Sequence, residues 1–402
     1  MKILHLLYGW RPARGGIITY VGDLVQVQRQ NNQVAVMIIT PDPSRFPRTF
    51  AEDGVNYFVP ELPVNQLFTG DPALDYNHPV LEEKLLEAVK NIAPDVVHIH
   101  SIAGISSRLI PLCEKKGIRT VVCLPDYIVV CPRMDLFYQE QAYCHAAGEC
   151  CPECLGTKYK HEDYKKRLQE NIANYNQATR IIGISKFSTN LLLQFGLDQK
   201  KCVILPNGIA ADWFKKPAKS LGSDKLKLVH ISSCAPKKGV FLLVQALKGL
   251  PQAVKDSVEL EIHGARSIMQ EKLTALAAGD ERIRVFPPYP REAVGEILGA
   301  ADLAVLPSLW WEPFGLTVLE SFTMGLPVIG SRQSGMSETI THGYNGYLID
   351  TIDVSELQGL IVKLVQDRGL LEELKQNVRK TPVKTMDGLA KELQAIYEAI
   401  TF

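Results

Sequence analysis

The sequence lacks any apolar run of the roughly 18 residues that a membrane-crossing helix needs. It also lacks net charge, with 44 basic side chains against 44 acidic ones. Such a balance gives no general attraction to a nucleic-acid backbone, so DNA and RNA are not expected partners, while small anionic ligands remain open. No internal repeat and no low-complexity tract stands out. The opening "MKILHLLYGW" is interrupted by His5 and has no small-residue cleavage site behind it, so it reads as a first strand, not a secretion signal. A cytoplasmic location is the expectation.

At 402 residues the chain exceeds what one growing core holds, and two domains are expected. Short runs rich in Ile, Val and Leu recur: "KILHLL", "VAVMIIT", "DVVHIH", "RTVVCLP", "RIIGIS", then "KLVHIS", "VELEIHG", "DLAVLPS" and "LPVIGS". Segments of helical spacing separate them, as from Leu81 to Val89 and from Leu242 to Leu250. Buried runs alternating with helices predict an α/β protein built from parallel, doubly wound, Rossmann-like sheets. The series starts twice, at residue 2 and near residue 226, and "LPNGIAADWFKKPAKSLGSDK" breaks it. The domains are therefore placed at 1–206 and 207–385. Ligands of such sheets bind at the carboxyl ends of the strands, so the cleft between the two domains is the expected site.

One stretch, "SLWWEPFGLTVLE" at 308–320, suits neither a core element nor a surface loop. Pro313 cannot continue a preceding strand, and Gly315 has no side chain to block an approaching ligand. A helix starting at Phe314 to Leu316 would present unpaired amides and the positive end of its dipole, which favour phosphate. Glu320 lies one turn along, where a carboxylate suits the paired hydroxyls of a ribose, and Glu312 sits at the mouth, where it can take sugar hydroxyls. Gly15 and Gly16 follow the first strand and precede an apolar helix, so their backbone can approach a diphosphate.

The run "SLWWEPFGLTVLESFTMGLPVIGS", followed by "GMSETITHGYNGYLI", resembles the donor-site signature of glycosyltransferase family 4 (glycosyl transferases group 1). These are retaining nucleotide-sugar transferases of the GT-B fold. The resemblance extends to Gly15-Gly16, "PDVVHIHS", "GISKFS", "LPNGI", "KKGVFLL" and a final helix ending near Tyr397. It implies that residues 386–402 pack back on the N-terminal domain. It implies a retaining hexosyltransferase or glycosyltransferase of polysaccharide biosynthesis, with a nucleoside-diphosphate sugar as donor and a glycan, lipid-linked or small-molecule acceptor.

By the same resemblance, Glu320 binds the ribose, Glu312 faces the donor sugar beside the Phe314-Gly315-Leu316 amides, and Lys238 neutralises the diphosphate. A charge-assisted bond of that kind is worth about 1.5–3 kcal/mol. His100, at a strand end before Ser101, corresponds to the histidine the family sets against the donor sugar, whereas His98 reads as core. Where the family carries an arginine five residues before the lysine, this chain has Ser233. Either the hydroxyls of Ser232 and Ser233 or the side chain of Arg266 then stands in for it. No Asp-x-Asp appears where a metal-bound diphosphate would need one, so no catalytic metal is expected. The family's favoured route to retention lets the departing phosphate accept the acceptor's proton, and no carboxylate here qualifies as a covalent nucleophile.

Five of the nine cysteines crowd into 24 residues, in "CPRMDLFYQEQAYCHAAGECCPECL"; the other four read as core filler. Cys131, Cys144 and the Cys151-x-x-Cys154 pair, with Cys150 alongside, suit a tetrahedral structural zinc, with an iron–sulfur cluster as the lesser alternative. Some members of the family carry a similar insertion after an Asp-Tyr dipeptide, here Asp126-Tyr127, although they place a histidine where this chain has Pro125. The insertion at 131–154 is expected on the acceptor side. Behind it, "KYKHEDYKKRLQENIANYN" carries Lys158, Lys160, Lys165, Lys166 and Arg167. These could meet anionic lipid at an inner membrane face, but Glu162, Asp163 and Glu170 dilute the charge, so a solvated helix face is the reading. Two further functions fit the same plan: a nucleotide-sugar epimerase or hydrolase, and a degenerate transferase that docks partners through its cysteine module.

Overall fold

The computed structural model describes every residue except 10–15, 41, 46, 63–68, 140–141, 150, 211–224, 351–352 and 402. Gly15, Cys150 and most of the expected interdomain break therefore lie outside the described residues. The chain divides into two compact units, Met1–Gly208 with Lys384–Phe402, and Ile209–Val383.

The first unit is built on β1 (Lys2–Tyr8), β2 (Gln33–Ile39), β3 (Thr49–Glu52), β4 (Val55–Phe58), β5 (Val96–Ile99), β6 (Arg119–Leu124), β9 (Arg180–Gly183) and β10 (Cys202–Ile204), with a separate small hairpin of β7 (Phe137–Tyr138) and β8 (Ala142–Tyr143). The large sheet runs β10-β9-β6-β5-β1-β2-β4-β3, and every pairing is parallel except the edge hairpin β3–β4. In β1 the residues Ile3 to Leu7 are all buried, His5 among them, which is why the run does not alternate apolar with polar. Strand order reverses between β1 and β5, the point where such sheets open a crevice.

The second unit carries β11 (Leu226–Ile231), β12 (Val258–His263), β13 (Ile283–Phe286), β14 (Leu303–Leu306), β15 (Val328–Ser331) and β16 (Gly346–Ile349). All pair in parallel in the order β13-β12-β11-β14-β15-β16, so the reversal falls between β11 and β14. Helices Val240–Lys248 and Val354–Gln366 close its core with Leu243, Leu247, Leu357 and Ile361. The parallel sheets expected from the apolar runs are present; the short strands β3, β4, β10, β13 and β16 come in addition.

The last helix, Met386–Thr401, belongs to the first unit. Its buried Met386, Leu389, Leu393 and Tyr397 recur at three- and four-residue steps, the stripe of an amphipathic helix, and pack with Ile3, Leu24 and Val96. Among the described residues no helix is long and apolar enough to cross a membrane.

Candidate functional site

Three loops meet at the carboxyl end of the second sheet. After β11 the chain passes through residues 232–235 into a 3-10 turn, Pro236–Lys238, that ends on Gly239 at φ +71°. A Cβ on Gly239 would stand 1.8 Å from the Pro307 carbonyl oxygen, so only glycine lets this loop lie against the one that follows β14. That close approach brings Lys238 to Glu312, 74 positions away, and its Nζ donates to Oε2 at 2.6 Å.

The same carboxylate oxygen accepts from the Trp310 indole Nε1 at 3.0 Å and from Ser308 Oγ at 3.2 Å. Trp310 in turn lies under two ammonium groups, with Lys237 Nζ 4.4 Å and Lys238 Nζ 5.1 Å from its ring centroid. A cation over an indole face is stabilised by the ring quadrupole, so Trp310 fixes the lysines with its face and Glu312 with its edge. This answers why tryptophan stands beside a glutamate in the 308–320 stretch: both tryptophans are buried, and Trp310 ties a carboxylate to its cation.

Beyond Glu312 the chain turns at Pro313. The Glu312 carbonyl accepts from the Gly335 amide at 2.7 Å, and a Cβ on Gly335 would meet the Pro313 carbonyl oxygen at 2.2 Å, so the loop after β15 is tightly docked here. Gly315, at φ +93°, precedes the helix Leu316–Thr323 and offers no capping side chain to its first amides. Glu320 lies on the second turn of that helix, half-buried.

Below Lys238, His230 is fully buried. Its Nδ1 faces the Val305 carbonyl at 2.8 Å, which can only accept, so Nδ1 carries the proton and Nε2 accepts from the Ser232 hydroxyl at 2.8 Å. Burial, and secondarily the Lys238 charge, push the His230 pKa down to about 4 against the opposing pull of the Val305 bond.

In the first unit, helix Gly16–Gln28 begins with an exposed Gly16 behind β1. His100 follows β5, but it is 1% exposed and its Nε2 lies 2.8 Å from His5 Nδ1. His98, also buried, bonds the Tyr397 hydroxyl through Nδ1 at 2.6 Å and the Cys123 thiol through Nε2 at 2.9 Å. His5, His98 and His100 bring ligand atoms within 4.8 Å of one another. Yet both nitrogens of His98 are committed, and a ligand set at one metal would have to break the His5–His100 bond. Burial, reinforced by each other's proximity, drives the pKa of His98 and His100 well below the ordinary value. The trio is a neutral, hydrogen-bonded core.

The family model for Glycosyltransferase Family 4 matches residues 14–213, and that for Glycosyl transferases group 1 matches residues 212–381. The chain belongs to the family 4/group 1 glycosyltransferases. The chain is 26% identical over 212 residues to the amylovoran biosynthesis glycosyltransferase AmsK of Erwinia amylovora, a match that covers 51% of each chain. It is 30% identical over 203 residues to the D-inositol 3-phosphate glycosyltransferase of Acidothermus cellulolyticus, covering 45% of this chain and 44% of that one. The match thus spans about half the length of these curated relatives. Among solved structures, the Anabaena protein HepE in complex with UDP-glucose superposes with a TM-score of 0.70 at 17% identity, over 99% of this chain and 100% of that one. The fold is GT-B, with two Rossmann-like domains.

The expected site residues fall into three groups. Lys238, Glu312, Gly315 and Leu316 are brought together at the reversal of the second sheet, with buried Phe314 and half-buried Glu320 beside them. Ser233 is exposed, and Arg266 is exposed where the chain leaves β12 for helix Ser267–Ala277, at the same end of the sheet. Two further residues of that reading already have partners within the fold. The Ser232 hydroxyl lies 2.8 Å from His230 Nε2 and accepts from the Cys234 amide at 2.9 Å. His100 is stacked by β1 and β5 against His5 and His98 at centroid distances of 5.1 and 4.1 Å.

The sequence reading missed Ser308, Trp310 and Gly239 as parts of the lysine's setting. The Lys-Lys-Gly triplet was a usable sign, since a glycine ending a turn marks a left-handed residue. Arg167, read as a solvated helix residue, is instead buried and reaches Asp75 and the Ile128 carbonyl.

Proposed function

We propose that this glycosyltransferase moves a sugar from a nucleoside-diphosphate donor to a glycan, lipid-linked or small-molecule acceptor, with retention at the anomeric carbon and without a divalent ion at the diphosphate. The observation that carries the proposal is the Lys238 ammonium, held by Glu312 and Trp310 where the order of the second sheet reverses, next to the helix opened by Gly315.

In this reading the bond from the anomeric carbon to the departing phosphate breaks while the acceptor oxygen bonds on the same face, and the acceptor's proton passes to a phosphate oxygen. Negative charge grows on the leaving group, so a fixed cation and unpaired amides stabilise the transition state more than the ground state. Lys238 and the Gly315-Leu316 backbone would supply that stabilisation. Arg266 or Ser233 supplements Lys238 in place of the family's arginine, and Glu320 takes the ribose hydroxyls. Glu312 has one oxygen occupied by Lys238, so its part is to aim the ammonium as well as to meet the sugar. A lipid-linked acceptor would place the enzyme at the inner face of a membrane, with Lys158, Lys160, Lys165 and Lys166 toward the headgroups.

The test is a thermal-shift series with UDP, GDP and ADP, followed by turnover of the stabilising nucleotide's sugars with and without EDTA. One nucleotide should raise the melting temperature, turnover should survive chelation, and NMR of the product should show the donor's anomeric configuration. Turnover lost to EDTA and restored by Mg²⁺ would refute the metal-free step, an inverted anomer would refute retention, and binding without turnover would favour a docking module.

A further inference from the structure

The segment between β6 and β9 holds a feature that sugar transfer does not use. Cys131, Cys144, Cys151 and Cys154 line one small cavity, closed by Arg133, Phe137, Ala147 and Leu155. The first three thiols are buried and Cys154 is half-buried. They come from different pieces of the insertion: Cys131 from the turn after Asp126, Cys144 from the end of the β7–β8 hairpin, and Cys151 and Cys154 from one face of the short helix Cys151–Leu155.

The backbone between the first two thiols is held in an unusual conformation, since Met134 and Leu136, neither of them glycine, hold φ of 66° and 49°. Left-handed residues other than glycine are strained and persist only where the surrounding structure fixes them. The Met134 amide donates to the Cys131 carbonyl at 2.9 Å and the Cys144 amide to the Leu136 carbonyl at 2.8 Å, which fastens the second thiol beside the first.

All four are free thiols, and a group of thiols gathered in one cavity takes a metal by exchanging its protons for the ion. Four sulfurs with no carboxylate among the cavity's lining match a tetrahedral d¹⁰ ion.

We propose that Cys131, Cys144, Cys151 and Cys154 bind one zinc ion as a structural centre that locks the insertion onto the first unit. Among the described residues only the histidine trio has its ligand atoms gathered within 4.8 Å, so coordination draws the four sulfurs inward. The base they close upon is already rigid: Arg167 donates to the Ile128 carbonyl at 2.6 Å and Asn171 to the Val129 carbonyl at 3.2 Å, both just before Cys131.

The experiment is elemental analysis of the full chain, purified under reducing conditions without chelator, together with a mercurial titration in which a chromogenic chelator reads released zinc. About one zinc per chain is expected, leaving in step with about four thiols. Cys154→Ser should reduce the zinc content at least tenfold and lower the melting temperature, while Cys202→Ser, outside the insertion, should keep its zinc. If Cys154→Ser does not fold, the titration of the native chain decides, since release before any thiol is modified would refute thiolate ligation. Protein without zinc, iron with inorganic sulfide in its place, or equal loss in Cys202→Ser would overturn the assignment.

Discussion

At the scale of the residue, the two neighbouring lysines separate chemistry from packing. Lys238 reaches Glu312, and Lys237 lies over the Trp310 face. Lys238→Ala is expected to lower kcat at least about 100-fold, the usual loss when one donor to developing anionic charge is removed, with a smaller change in KM. Lys237→Ala should cost only a few-fold. Steady-state kinetics of both variants check this, and comparable losses would mean that the ammonium is not used selectively in the transition state. Both Lys238 and Glu312 were legible in the sequence from their motifs. Their bond was not, because no local pattern links positions 74 residues apart. The partner of Ser232 was hidden for the same reason, as its hydroxyl meets a histidine whose orientation is dictated by a carbonyl on another strand.

At the scale of the element, the helix Met386–Thr401 is held to the first unit by a stripe of apolar side chains and by the buried bond of Tyr397 to His98. Tyr397→Phe keeps the ring and removes the hydroxyl, leaving Nδ1 of a buried histidine without its partner. An orphaned buried polar atom costs about 1–3 kcal/mol, so the variant should melt several degrees lower while its helix content by circular dichroism stays the same. An unchanged melting temperature would mean that the apolar stripe alone carries the docking. The stripe is visible in the sequence as a three-and-four spacing, and the long buried strands are visible as unbroken apolar runs. The shorter strands were not singled out, because β13 is partly exposed along its length and β7 and β8 have two residues each, too few for any period to emerge.

At the scale of the whole molecule, each unit buries a histidine that must stay neutral. His5 in the first unit and His230 in the second are both lowered from 6.5 to about 4, burial being the largest cause in each. A hydrogen bond opposes the shift in each, from the Gln28 side chain at His5 and from the Val305 carbonyl at His230, while the Lys238 charge adds to it at His230. The folded-state pKa lies below the unfolded one, so the unfolded chain takes up these protons first as the pH falls. The stability owed to the neutral rings is therefore complete above about pH 6.5 and drains away toward pH 4, on the order of 3 kcal/mol for each. Thermal unfolding from pH 7.5 to 4.5 should show both units losing stability below pH 6.5. A flat profile across that interval would contradict the buried, neutral state of the two rings.

The sequence by itself determined the class of fold, through continuous apolar runs that only doubly covered parallel strands can bury, and it marked the donor-side motifs, because glycine, proline and charge at fixed spacing leave few conformations open. The tertiary structure alone decided which marked side chains are available. Whether a serine can give its proton, a histidine can reach solvent, or four thiols share one cavity depends on what the fold sets across from them. Those neighbours come from strands and loops far apart in the chain, and their distances follow from packing, not from any local period.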